Sequence, residues 1–130
     1  MESEPDIGRV RRRLMEWYTH HGRCLPWRNT SDPYRIWVSE AMLQQTQVKT
    51  VLPYYRQFLV LFPTLEDLAR SDSDRVLKAW EGLGYYARAR NLHKAAKMVL
   101  AEHEGRVPSQ WEKFKKLPGV GEYIASAVLS

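Results

Sequence analysis

The most informative stretch of this chain is Leu117-Pro118-Gly119-Val120-Gly121, which is followed by the predicted helical segment Glu122–Leu129. Two glycines flank one apolar residue, and an amphipathic segment lies on each side. Glycine permits a tight turn and a close approach of the backbone to another molecule. Amide groups in such a turn, beside a helix N-terminus, form a good site for a phosphate oxygen. The pattern is typical of a helix-hairpin-helix, which binds the DNA backbone independently of base sequence.

The remainder of the chain also predicts helices with short connections. Val10, Leu14 and Trp17 fall at helical spacing, and Asp32-Pro33 is a cap-and-start pair for a helix that reaches about Thr46. Further helices are expected from about Val48 to Phe62, from Thr64 as a short helix, from Ser71 through Leu83, from Ala87 to Glu104, and from Ser109 into the hairpin. No alternating strand pattern competes, so the predicted fold class is all-α.

Composition places the 130 residues in one globular domain, with 44% hydrophobic and 27% charged residues. The formal net charge of +5 favours an anionic partner. No apolar run approaches the length of a membrane span, and the acidic N-terminus lacks a signal-peptide core, so no membrane partner is expected. The single cysteine, Cys24, excludes an internal disulfide and a multi-cysteine metal site in this chain.

The four histidines predict no metal site. His20, His21, His93 and His103 lack a paired ligand spacing with carboxylates or with Cys24. We therefore interpret all four as surface or cap residues.

Glu40 is the candidate catalytic carboxylate. In a helix that starts at Tyr34, it shares a face with Trp37 and Leu43. Burial among apolar side chains raises the pKa of a carboxyl group, which suits a general acid. The alternative is a boundary glutamate that reaches water or pairs with Arg28 or Arg35.

Two polar segments carry candidate base and phosphate contacts. Gln44, Gln45 and Gln47 follow Glu40 and offer amides that hydrogen-bond base edges, although they are equally ordinary as surface residues. The run 82–91, Gly-Leu-Gly-Tyr-Tyr-Ala-Arg-Ala-Arg-Asn, offers a loop tyrosine that can insert between bases and two arginines, Arg88 and Arg90, that can hold phosphates. The alternative for this run is a glycine hairpin with packed tyrosines.

Together these segments closely resemble the MutY family of adenine DNA glycosylases, within the helix-hairpin-helix glycosylase superfamily. The resemblance runs from about Trp17 to Ser130. It rests on four ordered segments: Leu25–Arg28 (Leu-Pro-Trp-Arg), Trp37–Val48, Gly82–Asn91 and Leu117–Gly121.

This resemblance implies removal of adenine mispaired with 8-oxoguanine or guanine in double-stranded DNA, after the base is flipped into a pocket. Glu40 would protonate adenine at N7. The other implied roles are an adenine pocket at Trp27 and Arg28, strand probing by Leu43, Gln45 and Tyr85, a place near the flipped nucleotide for Tyr123, and backbone contacts at Gly119, Val120 and Gly121.

Tyr123 implies base removal without a lyase step. Bifunctional relatives of the endonuclease III type carry a lysine here, which attacks the sugar as an amine nucleophile. Lys115 and Lys116 lie on the other side of the hairpin. The resemblance therefore implies a monofunctional glycosylase.

The resemblance also divides the chain. It implies an N-terminal helix in residues 1–24, which normally packs on a cluster module, and a six-helix barrel module in residues 25–130, with the helix-hairpin-helix at about 109–130.

Family members carry a catalytic aspartate, four cysteines for a [4Fe-4S] cluster and an 8-oxoguanine-recognition domain farther on, which are expected beyond Ser130. A chain without them is expected to be inactive or severely impaired, and to self-associate where a full-length member is a monomer. The expected location is the bacterial cytoplasm, with the nucleoid, or the eukaryotic nucleus.

Two other functions stay open. One is a thymine-mismatch glycosylase of the same superfamily, against which Ser39–Thr46 argues. The other is a non-catalytic module that binds DNA through the hairpin alone.

Overall fold

The computed structural model describes residues 30–44 and 46–129, and every regular element in these two ranges is an α-helix. The predicted N-terminal helix, together with Trp27, Arg28 and Gln45, lies outside the described residues. The described helices are α1 (Pro33–Leu43), α2 (Val48–Leu61), α3 (Leu65–Arg70), α4 (Ser73–Trp80), α5 (Tyr86–Glu102), α6 (Trp111–Lys115) and α7 (Glu122–Leu129). The predicted all-α fold class is confirmed.

Side-chain caps start three of the helices, as the sequence predicts. The Asp32 carboxylate accepts a hydrogen bond from the Tyr34 N–H at 3.0 Å, with Pro33 in the first turn of α1. Thr64 and Asp67 form a capping box at α3. At α4 the cap is Asp72, which accepts from the Arg75 N–H at 2.8 Å. These local bonds fix where each helix begins.

The predicted helix ends are less accurate. Helix α1 stops at Leu43 and not at about Thr46, because Gln44 adopts an extended backbone and the chain turns back into α2, which packs against α1. Helix α4 stops at Trp80 and not at Leu83. Two glycines with positive φ, Gly82 at 96° and Gly84 at 86°, form the turn that follows. The end of α1 is thus set by packing that overrides local helix propensity, whereas the end of α4 is set by a glycine turn.

Helix α1 lies at the centre of the core. Every residue from 37 to 42 is buried, and α2, α5 and α7 all pack against this helix. A helix that is buried around its whole circumference belongs to the interior of a domain. The ring of Trp37 meets Phe114 of α6 edge to face at 4.9 Å, which ties α1 to the hairpin. The core therefore holds α1 rigidly beside the hairpin.

Neither range of described residues contains a helix with the length and apolar character needed to cross a membrane.

His93 is buried in the core, so its prediction as a surface or cap residue is wrong. Only 4% of His93 is exposed, and its Nε2 lies 2.9 Å from the Ser71 carbonyl oxygen, to which a neutral ring donates. The cause lies in the fold: α5 packs against α3 and α4, and it turns His93 toward the Ser71 carbonyl between them. His103 caps the end of α5, as predicted, whereas His20 and His21 lie outside the described residues.

We expect the stability of the chain to fall in mild acid because of His93. Burial, and secondarily Lys97, lowers the pKa of His93, while an unfolded histidine titrates near 6.5. As the pH falls below about 6.5 the unfolded chain binds more protons than the folded chain, so the free energy of unfolding decreases. Urea unfolding at about pH 8 and pH 5.5 should show this decrease in the unmodified chain and a smaller one in His93→Gln. His103→Gln is the control, and an equal decrease in all three proteins would contradict the assignment.

Candidate nucleic-acid interface

The hairpin between α6 and α7 depends on glycine at one position and leaves open space at another. Gly119 has a φ of +76°, and a Cβ atom there would lie 2.8 Å from the Cβ of Asn91 on α5. Next to it, Val120 is buried and donates its N–H to the Leu117 carbonyl at 3.1 Å. At Gly121 no heavy atom lies within 4 Å of an added Cβ. Asn91 and the buried Val120 thus fix the turn on the side that faces the core. At Gly121 the turn faces open space.

The turn between α4 and α5 is held by two hydrogen bonds between its backbone and large aromatic side chains. The indole Nε1 of the buried Trp80 donates to the Gly84 carbonyl at 3.0 Å. The Gly82 N–H donates to the Tyr86 hydroxyl at 3.1 Å. A Cβ at Gly82 would collide with the Tyr54 hydroxyl. Both glycines of the turn are therefore constrained, Gly84 by its bond to Trp80 and Gly82 by Tyr86 and Tyr54.

The two tyrosines of this turn have different environments. Tyr86 is 38% exposed, and its hydroxyl accepts a hydrogen bond from the Gly82 N–H, so its side chain closes the turn while part of it stays accessible. Tyr85 is 53% exposed and adopts a left-handed backbone conformation, with φ 54° and ψ 53°. A left-handed conformation is uncommon for a bulky residue. Tyr85 is thus the more exposed of the two tyrosines.

Glu40 is buried on α1, as the sequence predicts. Only 8% of the residue is exposed, between the buried residues Ser39 and Ala41. Arg35, one of its two suggested partners, is largely exposed and lies with its Nε 3.8 Å from Asp32. Arg28, the other, lies outside the described residues. A buried carboxyl group on a central helix matches the environment expected of a general acid.

Three of the predicted segments meet at a cavity of about 110 Å³. Its lining includes Trp37 of α1, Gln44 directly after α1, Arg88 and Asn91 of α5, and Pro118 and Gly119 of the hairpin. The end of the Glu40 helix, the start of the Tyr85 helix and the hairpin therefore lie together at one side of the molecule. This juxtaposition joins residues that are far apart in the chain.

The remaining predicted residues differ in burial and in location. Leu43 is half-buried at the end of α1, and Tyr123 is half-buried in the first turn of α7, a helix that packs against α1. Arg88 is half-buried, whereas Arg90 is exposed on α5. Gln47 directly precedes α2, makes no side-chain capping bond and is exposed, which matches the alternative of an ordinary surface residue.

Three residues that support the turns carry no functional prediction from the sequence. Asn91 supports Gly119, Trp80 bonds to Gly84, and Tyr54 closes on Gly82. Asn91 and Tyr54 lie on helices distant in sequence from the glycines that they contact, so local spacing held no signal for them. A signal for Trp80 existed, because a buried indole N–H normally finds a nearby acceptor.

In the part of the chain that the structure describes, no three histidine, cysteine, aspartate or glutamate side chains come together in a group that could hold a metal ion.

The sequence from residue 38 to 128 matches the family described as HhH-GPD superfamily base excision DNA repair protein. A protein of Buchnera aphidicola subsp. Baizongia pistaciae named adenine DNA glycosylase is 48% identical over 118 residues, which are 90% of this chain and 34% of that protein. Proteins of the same name from Rattus norvegicus and Homo sapiens are 44% and 42% identical, over 96% of this chain and 26% and 24% of their own lengths. The chain thus spans a quarter to a third of the length of these curated relatives.

Solved structures show the same fold. A thermostable thymine-DNA glycosylase gives a TM-score of 0.77 at 30% identity, over 95% of this chain and 60% of that one. A trapped endonuclease III–DNA covalent intermediate gives a TM-score of 0.71 at 21% identity, over 98% of this chain and 60% of that one.

Proposed function

This chain belongs to the HhH-GPD superfamily of base excision DNA repair proteins, and we propose that it binds duplex DNA and releases adenine mispaired with 8-oxoguanine or guanine. The observation that carries the proposal is the buried Glu40 on α1, a helix whose end meets the hairpin and α5 at one junction. The relatives named adenine DNA glycosylase support adenine as the base. Such a protein works at the genome, in the nucleoid of a bacterium or the nucleus of a eukaryote.

The proposed chemistry is hydrolysis of the N-glycosidic bond. Glu40 donates a proton to adenine N7. The bond between adenine N9 and C1′ of the sugar then breaks, and its electron pair stays with the base, which leaves as a neutral group. A water oxygen bonds to C1′ and releases its proton to solvent. The adenine must leave the base stack to reach a buried acid. Tyr85, exposed at the turn before α5, and Leu43, at the end of the Glu40 helix, are proposed to probe the strand around the mispair.

The backbone contacts in this proposal come from the hairpin and α5. Gly121 leaves open space at the outer edge of the turn, and the backbone amides of Gly119 and Gly121 are proposed to bind phosphate oxygens. The Val120 N–H is donated to the Leu117 carbonyl within the turn, so this amide is assigned no phosphate. Arg90, which is exposed, is proposed to contact a phosphate of the same duplex.

An iron–sulfur cluster does not fit the residues of this chain. Such a cluster is held by four cysteine thiolates, and the chain contains one cysteine, Cys24. No step of the proposed mechanism passes through a cluster.

Two measurements with short duplexes test the proposed function. Duplex affinity is measured first, and single-turnover base release with protein in excess is then followed for hours on A:8-oxoguanine, A:G and T:G substrates, because a slow reaction is expected. Adenine release from the first two substrates supports the proposal. Thymine release from T:G would instead support the thymine-mismatch function, which the 30% identical thymine-DNA glycosylase structure suggests. Binding without release of either base would leave a non-catalytic module, and no binding would reject a DNA function.

We expect no covalent trapping of this chain on an abasic site. A lyase step requires an amine nucleophile that forms a Schiff base with the sugar, and the position that the bifunctional relatives fill with lysine is Tyr123 here. Borohydride reduction in the presence of an abasic duplex should therefore give no shifted band on a denaturing gel. Tyr123→Lys is the informative comparison, since an adduct in that variant alone would confirm that the reaction lacks only the amine. A strong adduct with the unmodified chain would contradict the monofunctional assignment.

A further inference from the structure

Arg88 contacts both the aromatic ring and the backbone carbonyl of Tyr85. The guanidinium carbon of Arg88 lies 4.6 Å from the centroid of the Tyr85 ring, a cation–π distance. The backbone N–H of Arg88 donates to the Tyr85 carbonyl at 2.9 Å in the first turn of α5. One arginine therefore holds both the ring and the backbone of the exposed tyrosine.

Tyr85 needs such support because its conformation is unfavourable. A left-handed backbone is disfavoured for a residue with a large side chain, and it persists when the surroundings determine it. The two glycines before Tyr85 are locked by Trp80 and Tyr86, which fixes the backbone. The ring itself is half exposed, and the contact that directs it is the Arg88 guanidinium.

The position of Arg88 differs from that of a phosphate contact. Its side chain is half-buried and lines the cavity with Gln44, Asn91 and Gly119. Burial lowers the pKa of Arg88, which indicates a guanidinium partly withdrawn from water. Arg90, two residues later on the same helix, is exposed. The two arginines that the sequence assigns to one role thus occupy different environments.

We propose that Arg88 is a positioning residue, which holds the Tyr85 ring in the orientation that meets duplex DNA, and that it is not a phosphate ligand. The stack of Arg88 on Tyr85 and the place of Arg88 beside the hairpin carry this inference. It rests on the proposed function, because it requires Tyr85 to contact DNA. Arg90 keeps the phosphate role.

A double-mutant cycle with a salt titration tests the inference. Arg88→Met keeps an unbranched side chain and removes the cation, Tyr85→Leu removes the ring, and Arg90→Met is the matched control. Arg88→Met should weaken duplex binding about three- to tenfold in the unmodified chain and have almost no effect in the Tyr85→Leu background. The slope of log affinity against log salt should stay unchanged for Arg88→Met and decrease by about 1 for Arg90→Met.

A measurement without DNA guards against a folding artefact. The Arg88 side-chain protons, lying over an aromatic ring, should resonate upfield in the free protein and return toward ordinary shifts in Tyr85→Leu. Thermal unfolding of each variant confirms that it folds.

The contrary outcomes separate the two proposals. A reduced salt slope for Arg88→Met, with equal loss of affinity in both backgrounds, would make Arg88 a phosphate ligand and overturn the inference alone. Ordinary Arg88 shifts in the unmodified chain would also overturn it. Failure of the unmodified chain to bind any duplex would overturn the proposed function and the positioning role together.

Discussion

Replacing Glu40 with glutamine is expected to slow adenine release by about 10²-fold or more, the range in which a general acid contributes. Glutamine has nearly the same shape as glutamic acid but cannot deliver a proton to adenine N7. Because Glu40 is buried on the central helix, solvent has restricted access to replace it as a proton donor. The measurement is the single-turnover rate of base release from an A:8-oxoguanine duplex, compared between the two proteins.

The controls for this prediction separate chemistry from folding and from binding. Glu102→Gln changes the same functional group at an exposed position at the end of α5, and we expect it to retain the rate. Glu40→Gln itself should bind the duplex with an affinity within about threefold of the unmodified chain, because no proposed DNA contact is lost. A release rate in Glu40→Gln that equals that of the control would remove Glu40 from the mechanism.

Replacing Gly119 with alanine is expected to lower the free energy of unfolding by about 2–4 kcal/mol, the sum of left-handed backbone strain and overpacking. The φ of +76° is unfavourable for alanine, and the new Cβ would lie 2.8 Å from the Cβ of Asn91, which the helix holds in place. Relief of this contact requires the hairpin to move away from α5. We therefore expect weaker duplex binding as well, measured by a DNA titration at a temperature where the variant is folded.

Gly121→Ala is the matched control for Gly119→Ala. It adds the same methyl group two residues later, where no heavy atom lies within 4 Å of the new Cβ. We expect a loss of unfolding free energy of about 1 kcal/mol or less for this variant, since Gly121 directly precedes α7 and alanine is a poorer N-cap than glycine. Equal destabilisation by both substitutions in urea titrations would show that the contact with Asn91 does not set the hairpin position.

Local chemistry in the sequence was sufficient to predict where several helices begin. Asp32, Thr64 and Asp72 each accept a backbone hydrogen bond within three residues, so the cap is encoded within one turn. The ends of α1 and α4 were not predictable in this way, because they depend on the return of the chain against its neighbours and on glycine conformations. His93 was misassigned for a related reason, since its acceptor is the Ser71 carbonyl on another part of the chain.

The candidate site also contains some features that local sequence patterns predict and others that depend on contacts between distant segments. Helical periodicity with Trp37 and Leu43 predicts an apolar face for Glu40 but leaves a boundary position open. Its burial depends on the packing of α1 on all sides. The support of Gly119 by Asn91 joins distant helices and has no local pattern. The different environments of Arg88 and Arg90 also required the packed structure, because both sit in one apparently uniform basic run. The proposed roles of Trp27, Arg28 and Gln45 stay predictions, since these residues lie outside the described part of the chain.

The left-handed backbone of Tyr85 has a consequence for engineering this domain. Glycine or asparagine at this position would relieve a conformation that is unfavourable for tyrosine by about 1–2 kcal/mol, so a search for thermostability alone would select the loss of the ring. Stabilising substitutions commonly damage activity at such positions. A thermostable version that still binds DNA should keep Tyr85 and its turn unchanged, and should take its gains from surfaces remote from it, such as the exposed apolar Val60 on α2.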